Sequence, residues 1–183
     1  MENTAKPMFR YALNWGIIIG LVVVILSLLA YMIGMDKVRS LQWINLLIML
    51  GLIVVAQVQY KNNNPGIEIG YGRMLGLALL VGLFASVVLA IYNYIFMTLI
   101  APEFLEFIRQ QGELSIMNQE MPASAREKAL EMQEKFTQPW VMSTFTIFQM
   151  EFMVFVGALL TSIFTKGTAP AKPDTDDTEN ETN

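Results

Sequence analysis

Four long apolar runs, separated by short polar stretches and one long one, organise this 183-residue chain. The first, residues 11–35, carries no charged side chain; the others cover residues 41–60, 73–101 and 140–165. A helix needs about 20 mainly apolar residues to cross a bilayer. All four runs meet that length, and the third is long enough to tilt. The pattern predicts an all-α polytopic membrane protein with four transmembrane helices. A cleaved signal peptide does not fit the first run, which exceeds the usual apolar region and ends in Tyr31-Met-Ile-Gly-Met35 rather than a small-residue cleavage site. We read it as an uncleaved anchor. Asp36–Ser40 leaves room only for a turn, so the first two spans are expected to be antiparallel neighbours. Lys61-Asn-Asn-Asn-Pro-Gly66 is a second turn signal. Trp43 and Tyr60 stand at the ends of the second span, where aromatic belts form. Four spans place both termini on one side.

The long polar stretch, residues 102–139, reads as an amphipathic helical hairpin on the membrane surface. Phe104, Leu105, Phe107 and Ile108 form an apolar stripe at helical spacing. Pro102 suits a first helical turn and Gly112 a C-terminal stop. Ser124 and Glu127 have the capping-box spacing for a second helix, in which Glu131 and Lys135 form an i,i+4 pair. The alternative is that the first of these helices is a Pro-kinked extension of the third span. Residues 1–165 are thus expected to form one domain. Residues 166–183, rich in Thr, Pro, Asp and Glu, have nothing to pack and are expected to be a disordered acidic tail.

Composition supports the class and excludes several chemistries. Hydrophobic residues make up 54% of the chain and charged residues 15%, against about 25% charged in a typical soluble domain. The formal net charge of −4, due largely to the tail, gives no sign of a nucleic-acid-binding surface. Cysteine and histidine are both absent, which excludes disulfides, thiolate and imidazole metal sites, histidine relays and histidine triads. Lys6, Arg10, Lys61, Arg73, Lys166 and Lys172 on the side of the termini balance Lys37, Arg39, Arg109, Arg126, Lys128 and Lys135 on the other. The positive-inside rule therefore does not decide the orientation, and only Lys6 and Arg10, ahead of the first span, lean the termini inward.

Glu151 is the acidic residue lying well inside a run, in the middle of the fourth span. An unpaired ionised group there costs at least a few kcal/mol, so it must pair, become protonated or face water. Asn45, Gln57, Asn93 and Arg73 are its candidate partners, together forming an intramembrane polar site. In a functional role the carboxylate handles a proton or cation; in a structural one it ties helices together. One carboxylate without a second acid, base or histidine chain makes a thin relay. Asn14, Gln59 and Gln149 complete the amides of the spans, and such groups ordinarily bond between helices. Small residues mark packing faces: Ala78, Gly82, Ser86 and Ala90 recur every four residues, Gly72 and Gly76 precede them, and Gly16 and Gly20 form a GxxxG. The scattered methionines have no histidine to complete a metal site and are read as gap-filling or lipid-facing. No catalytic residue, cofactor or metal site is expected.

The chain also resembles a family of small bacterial membrane proteins, found mainly in Bacteroidota and described as a domain of unknown function, family 4199. The likeness covers residues 6–166. It rests on Tyr11-Ala-Leu-Asn-Trp-Gly-Ile-Ile-Ile-Gly20, Tyr71-Gly-Arg-Met-Leu-Gly76, Ala101-Pro-Glu-Phe-Leu105 and the Glu151 helix. The resemblance implies a four-helix membrane fold in a bacterial inner membrane and no assigned activity. The leading expectation is a non-enzymatic membrane protein acting through assembly with a protein partner, lipid or further copies of itself. The alternative is a small proton- or cation-linked transporter or channel-like protein using Glu151.

Overall fold

In hydrocarbon every backbone N–H and C=O must be satisfied within the protein, so an isolated apolar run of spanning length folds as a helix. A computed structural model describes residues 7–33 and 35–168, with the side chains of 35–43 outside the description. In chain order its elements are α1 (Met8–Ile33), α2 (Met35–Asn62), β1 (Glu68–Ile69), α3 (Tyr71–Ile95), α4 (Pro102–Met117), α5 (Ala123–Phe136), α6 (Pro139–Thr165) and β2 (Gly167–Thr168). Among the described residues four helical stretches are long and apolar enough to cross a membrane: Met8–Ile33, Ile44–Asn62, Tyr71–Ile100 and Pro139–Thr165. The protein is an all-α membrane protein with four candidate spans. Their outer faces leave large apolar side chains such as Leu21, Ile25 and Phe148 uncovered, as a lipid-facing surface requires.

Two local expectations change around the second span. Asp36–Ser40 lie in the first turns of α2 rather than in a turn. Tyr60 is not at an interfacial belt but 1% exposed: its ring packs 5.1 Å from that of Tyr11 and its hydroxyl accepts hydrogen bonds from Arg73. Trp43, the other proposed belt residue, has its side chain outside the description.

Helix α3 is the centre of the bundle, with its most extensive packing against α6 and α1. Its small ridge of Ala78, Gly82, Ser86 and Ala90 is buried throughout. Gly82 is the notch in that ridge, since a Cβ there would lie 2.6 Å from Val154 Cγ1 on α6. The GxxxG of α1 closes against the other side of α3. A Cβ at Gly16 would lie 2.9 Å from the Val81 carbonyl oxygen, and one at Gly20 would lie 2.7 Å from Val88 Cβ. This GxxxG thus packs within the chain. Gly72 and Gly76 do not extend the ridge: nothing lies within 4 Å of a Cβ at Gly72, and only Met8 Cε at 3.8 Å approaches one at Gly76. These contacts run α1 parallel to α3, and α6 antiparallel to it.

Proline decides how the third span ends. The ring of Pro102 would clash with the carbonyl four residues back, and it pushes the preceding residue out of helical conformation. Ala101 accordingly has φ −140° and ψ 66°, and residues Phe96–Ile100 widen into a π-helical turn closed by Ala101 N–H donating to the Phe96 carbonyl at 2.8 Å. A separate helix, α4, then starts at Pro102, so the hairpin is not a continuation of α3. Gly112 does not stop α4, which runs on to Met117. Gly112 instead lets the Gln133 side chain of α5 lie against the helix backbone, where any Cβ would collide with it. Nor is Ser124 a cap: α5 begins at Ala123 behind Pro122, with no side-chain capping bond.

A short antiparallel β1–β2 ribbon, pairing Glu68 with Thr168 and Ile69 with Gly167, joins the loop after α2 to the end of α6 and was not expected from the sequence. It orders the start of the acidic tail; Lys6 and residues 169–183 lie outside the description. Gly66 (φ 74°) supplies the turn ahead of β1, a conformation that costs glycine little.

Candidate functional site in the membrane interior

The polar groups of the spans assemble, but not around Glu151. Gln57 is fully buried on α2, and its Nε2 donates both to the Met74 carbonyl of α3 and to Ser162 Oγ of α6, each at 3.0 Å. Asn45 donates to Ser27 Oγ of α1 at 3.2 Å, and Asn93 to Thr146 Oγ1 of α6 at 3.1 Å. Arg73 donates to the Tyr60 hydroxyl from Nη2 at 3.0 Å and from Nε at 3.2 Å, with its guanidinium 5.9 Å from that ring's centroid. Each proposed partner of Glu151 has found another group, because helix rotation rather than depth decides which side chains meet. The partners Ser27, Thr146 and Ser162 carried no separable signal, serine and threonine being common in such helices. The result is a set of clamps, one joining α1 to α2, one joining α2 to α3 and α6, and one joining α3 to α6.

Glu151 stands on the row of α6 that faces the bundle, one turn before Val154, and is half-buried. Its Oε2 is shut off from the surface and has no hydrogen-bond partner among the described residues. The row continues toward the termini with Val154 and Ala158, at 0% and 1% exposure. Val154 fills the Gly82 notch, so apolar packing separates Glu151 from the Gln57–Ser162 clamp. The Asn93–Thr146 clamp lies the other way along α6. Among the described residues no group of three or more His, Cys, Asp or Glu side chains is placed to hold a metal ion.

Outside the spans, α4 and α5 form an antiparallel pair tied by Gln133 Nε2 donating to the Arg109 carbonyl at 2.7 Å. The pair is anchored to the bundle at the π-turn. Phe96 makes edge contacts with Tyr31 of α1 and Phe104 of α4, at 5.1 and 5.8 Å between centroids, and Tyr31 donates to Glu103 Oε1 at 3.0 Å. The expected stripe therefore divides. Phe104 and Leu105 pack onto the protein, Ile108 is half-buried and Phe107 is exposed. A cleft of about 590 Å³ between the two helices is bordered by Arg109, Glu113, Met117, Leu130, Glu131 and Glu134. On its rim Lys135 bonds Glu131 at 2.7 Å. That hydrogen bond and charge hold the Glu131 carboxyl below its ordinary range and raise the Lys135 ammonium above its own.

No curated protein and no solved structure matches this chain. A family model does, over residues 14–167, described as protein of unknown function (DUF4199). That match takes in the first span from residue 14 on, the other three spans and the hairpin: the chain belongs to this family of proteins of unknown function.

Proposed function

We propose that this is a non-enzymatic integral membrane protein that acts through assembly, with the α4–α5 hairpin as the element that engages a partner outside the bilayer. One observation carries the reading. The hairpin is anchored to the bundle through Phe96, Phe104, Tyr31 and Glu103, yet it keeps Phe107, Leu114, Met132 and Phe136 exposed. Anchoring fixes the orientation of these side chains and lowers the entropy lost on binding. The family resemblance supports a bacterial inner membrane as the location, and Lys6 and Arg10 favour termini on the cytoplasmic side. The hairpin then lies on the opposite side. The test is affinity capture after mild detergent extraction, comparing the wild type with Phe107→Ser/Leu114→Ser. A stoichiometric partner kept by the wild type and lost by the variant supports the reading. The same yield from both, or no partner at all, refutes it.

The unpartnered Oε2 of Glu151 favours a second reading, in which that carboxyl takes up a proton or cation. Purified protein in liposomes with an internal pH dye tests it: flux that Glu151→Gln abolishes supports this reading, and no flux above protein-free vesicles removes it. The apolar seal at Val154 and Ala158 favours assembly.

A further inference from the structure

Gln149 breaks the pattern set by the bundle-facing amides of the spans. Asn45, Gln57 and Asn93 all donate to another helix. Gln149 points outward from α6, is exposed, and has no hydrogen bond among the described residues. Asn14 is also exposed, but it lies only six residues inside α1, about 9 Å from its start at 1.5 Å per residue, close to the membrane surface. Gln149 is deep. Trp140 marks the aqueous boundary of α6, exposed in the position that interfacial aromatics occupy. Nine residues further, Gln149 lies roughly 13 Å inside a hydrocarbon layer whose half-thickness is about 15 Å. A primary amide there, facing lipid with nothing to bond, is costly.

Its neighbours along that face are aromatic. Phe145 lies one turn before Gln149 and Phe152 one turn after, 61% and 63% exposed. We propose that this face of α6 is the dimerisation surface of the protein, and that its occupant is α6 of a second copy. Two copies inserted with the same orientation are related by a two-fold axis along the membrane normal, which sets their α6 helices parallel with Gln149 opposite its counterpart. A glutamine amide both donates and accepts, so the pair satisfies itself with two reciprocal hydrogen bonds. Phe145 and Phe152 pack above and below, excluding lipid. The second copy is the occupant that supplies this complementarity with no further partner. The surface is separate from the hairpin, so dimerisation and partner capture are tested independently.

The chain contains no cysteine, so single cysteines report without background. Phe145→Cys and Phe152→Cys are compared in native membranes with Ile18→Cys and Val55→Cys, which sit on exposed faces of α1 and α2. Mild oxidation gives disulfide-linked dimers at the two α6 positions and not at the controls. Adding Gln149→Leu to Phe152→Cys weakens the dimer about fivefold, equivalent to roughly 1 kcal/mol. Thermal unfolding of the Gln149→Leu monomer in detergent stays unchanged, because no bond within the chain is lost. The proposal is overturned by cross-linking at the α6 positions no greater than at the controls. It is equally overturned by dimers that persist undiminished in Gln149→Leu, or by an earlier unfolding of that monomer.

Discussion

Val154 of α6 seats in the notch that Gly82 leaves in α3, and a Cβ at Gly82 would lie 2.6 and 3.0 Å from its two methyl carbons. Both partners are buried, so neither helix can yield without repacking the centre of the bundle. Gly82→Ala is expected to destabilise the protein by about 1–3 kcal/mol, the usual cost of overpacking. Adding Val154→Ala recovers part of the loss, and Gly76→Ala, with open space around it, costs nothing or stabilises. Thermal unfolding in detergent measures all three. Equal effects at Gly82 and Gly76 would contradict this packing.

The Gln57–Ser162 clamp is expected to be modest in energy and specific in geometry. Ser162→Ala removes one acceptor and costs about 0.6 kcal/mol, a typical interhelical value. Gln57→Ala costs more, about 1–3 kcal/mol, since it loses two bonds and opens a void at a fully buried position. A double-mutant cycle isolates the pair. A coupling energy of zero would mean that the bond does not contribute.

Glu151 makes no described hydrogen bond, which changes what its replacement does. Glu151→Gln keeps the shape and is expected to unfold at the wild-type temperature. Glu151→Leu, which would be disruptive if the carboxyl clamped two helices, loses no partner and is expected to be neutral or stabilising by up to about 1 kcal/mol. A large drop in stability with Leu would reveal a bond that water or another molecule supplies.

Phe104 and Phe107 are close together on the sequence-derived stripe and differ in the structure. Phe104→Ser removes the contact with Phe96 and is expected to raise protease cleavage across residues 102–139 several-fold. Phe107→Ser, at an exposed position, leaves cleavage unchanged. Limited proteolysis in native membranes distinguishes them.

The Glu131–Lys135 pair is solvent-exposed, and its effect is confined to the hairpin. Because the Glu131 carboxyl is lowered by Lys135, its contribution is fully present above the unfolded carboxylate value and is lost as pH falls through the lowered one. Lys135, raised by Glu131, contributes below the unfolded amine value and ceases to as pH rises past the raised one. Lys135→Ala is expected to return the Glu131 carboxyl to its ordinary range, read by NMR titration of the full chain. High salt has the same direction of effect.

The spans were legible because the length and apolarity of a run are properties of that run alone: residues 140–165 became Pro139–Thr165 and residues 11–35 became Met8–Ile33. The small ridge through Gly82 was legible for the same reason, as a repeat on one helix. Pairings were not. Whether Asn93 meets Glu151 or Thr146 depends on how two helices rotate against each other, which no single run encodes. Gly112 shows the same limit. Glycine ends helices when it takes a left-handed conformation, but here it stays helical inside α4, and Gln133 occupies the space its missing Cβ leaves. The β1–β2 ribbon joins residues nearly a hundred positions apart through two-residue strands, too short to have any periodicity.

That ribbon limits what the fourth spanning helix can do. Ile69 belongs to the buried core and pairs with Gly167, two residues beyond the end of α6. Sliding α6 along its own axis would unzip the ribbon and pull at a residue held by the core. Tilting α6 or turning it slightly would not. The ribbon therefore works as an axial stop: it fixes the height of α6 against α2 and α3 at one end, while Val154 in the Gly82 notch and the Asn93–Thr146 bond fix its rotation further along.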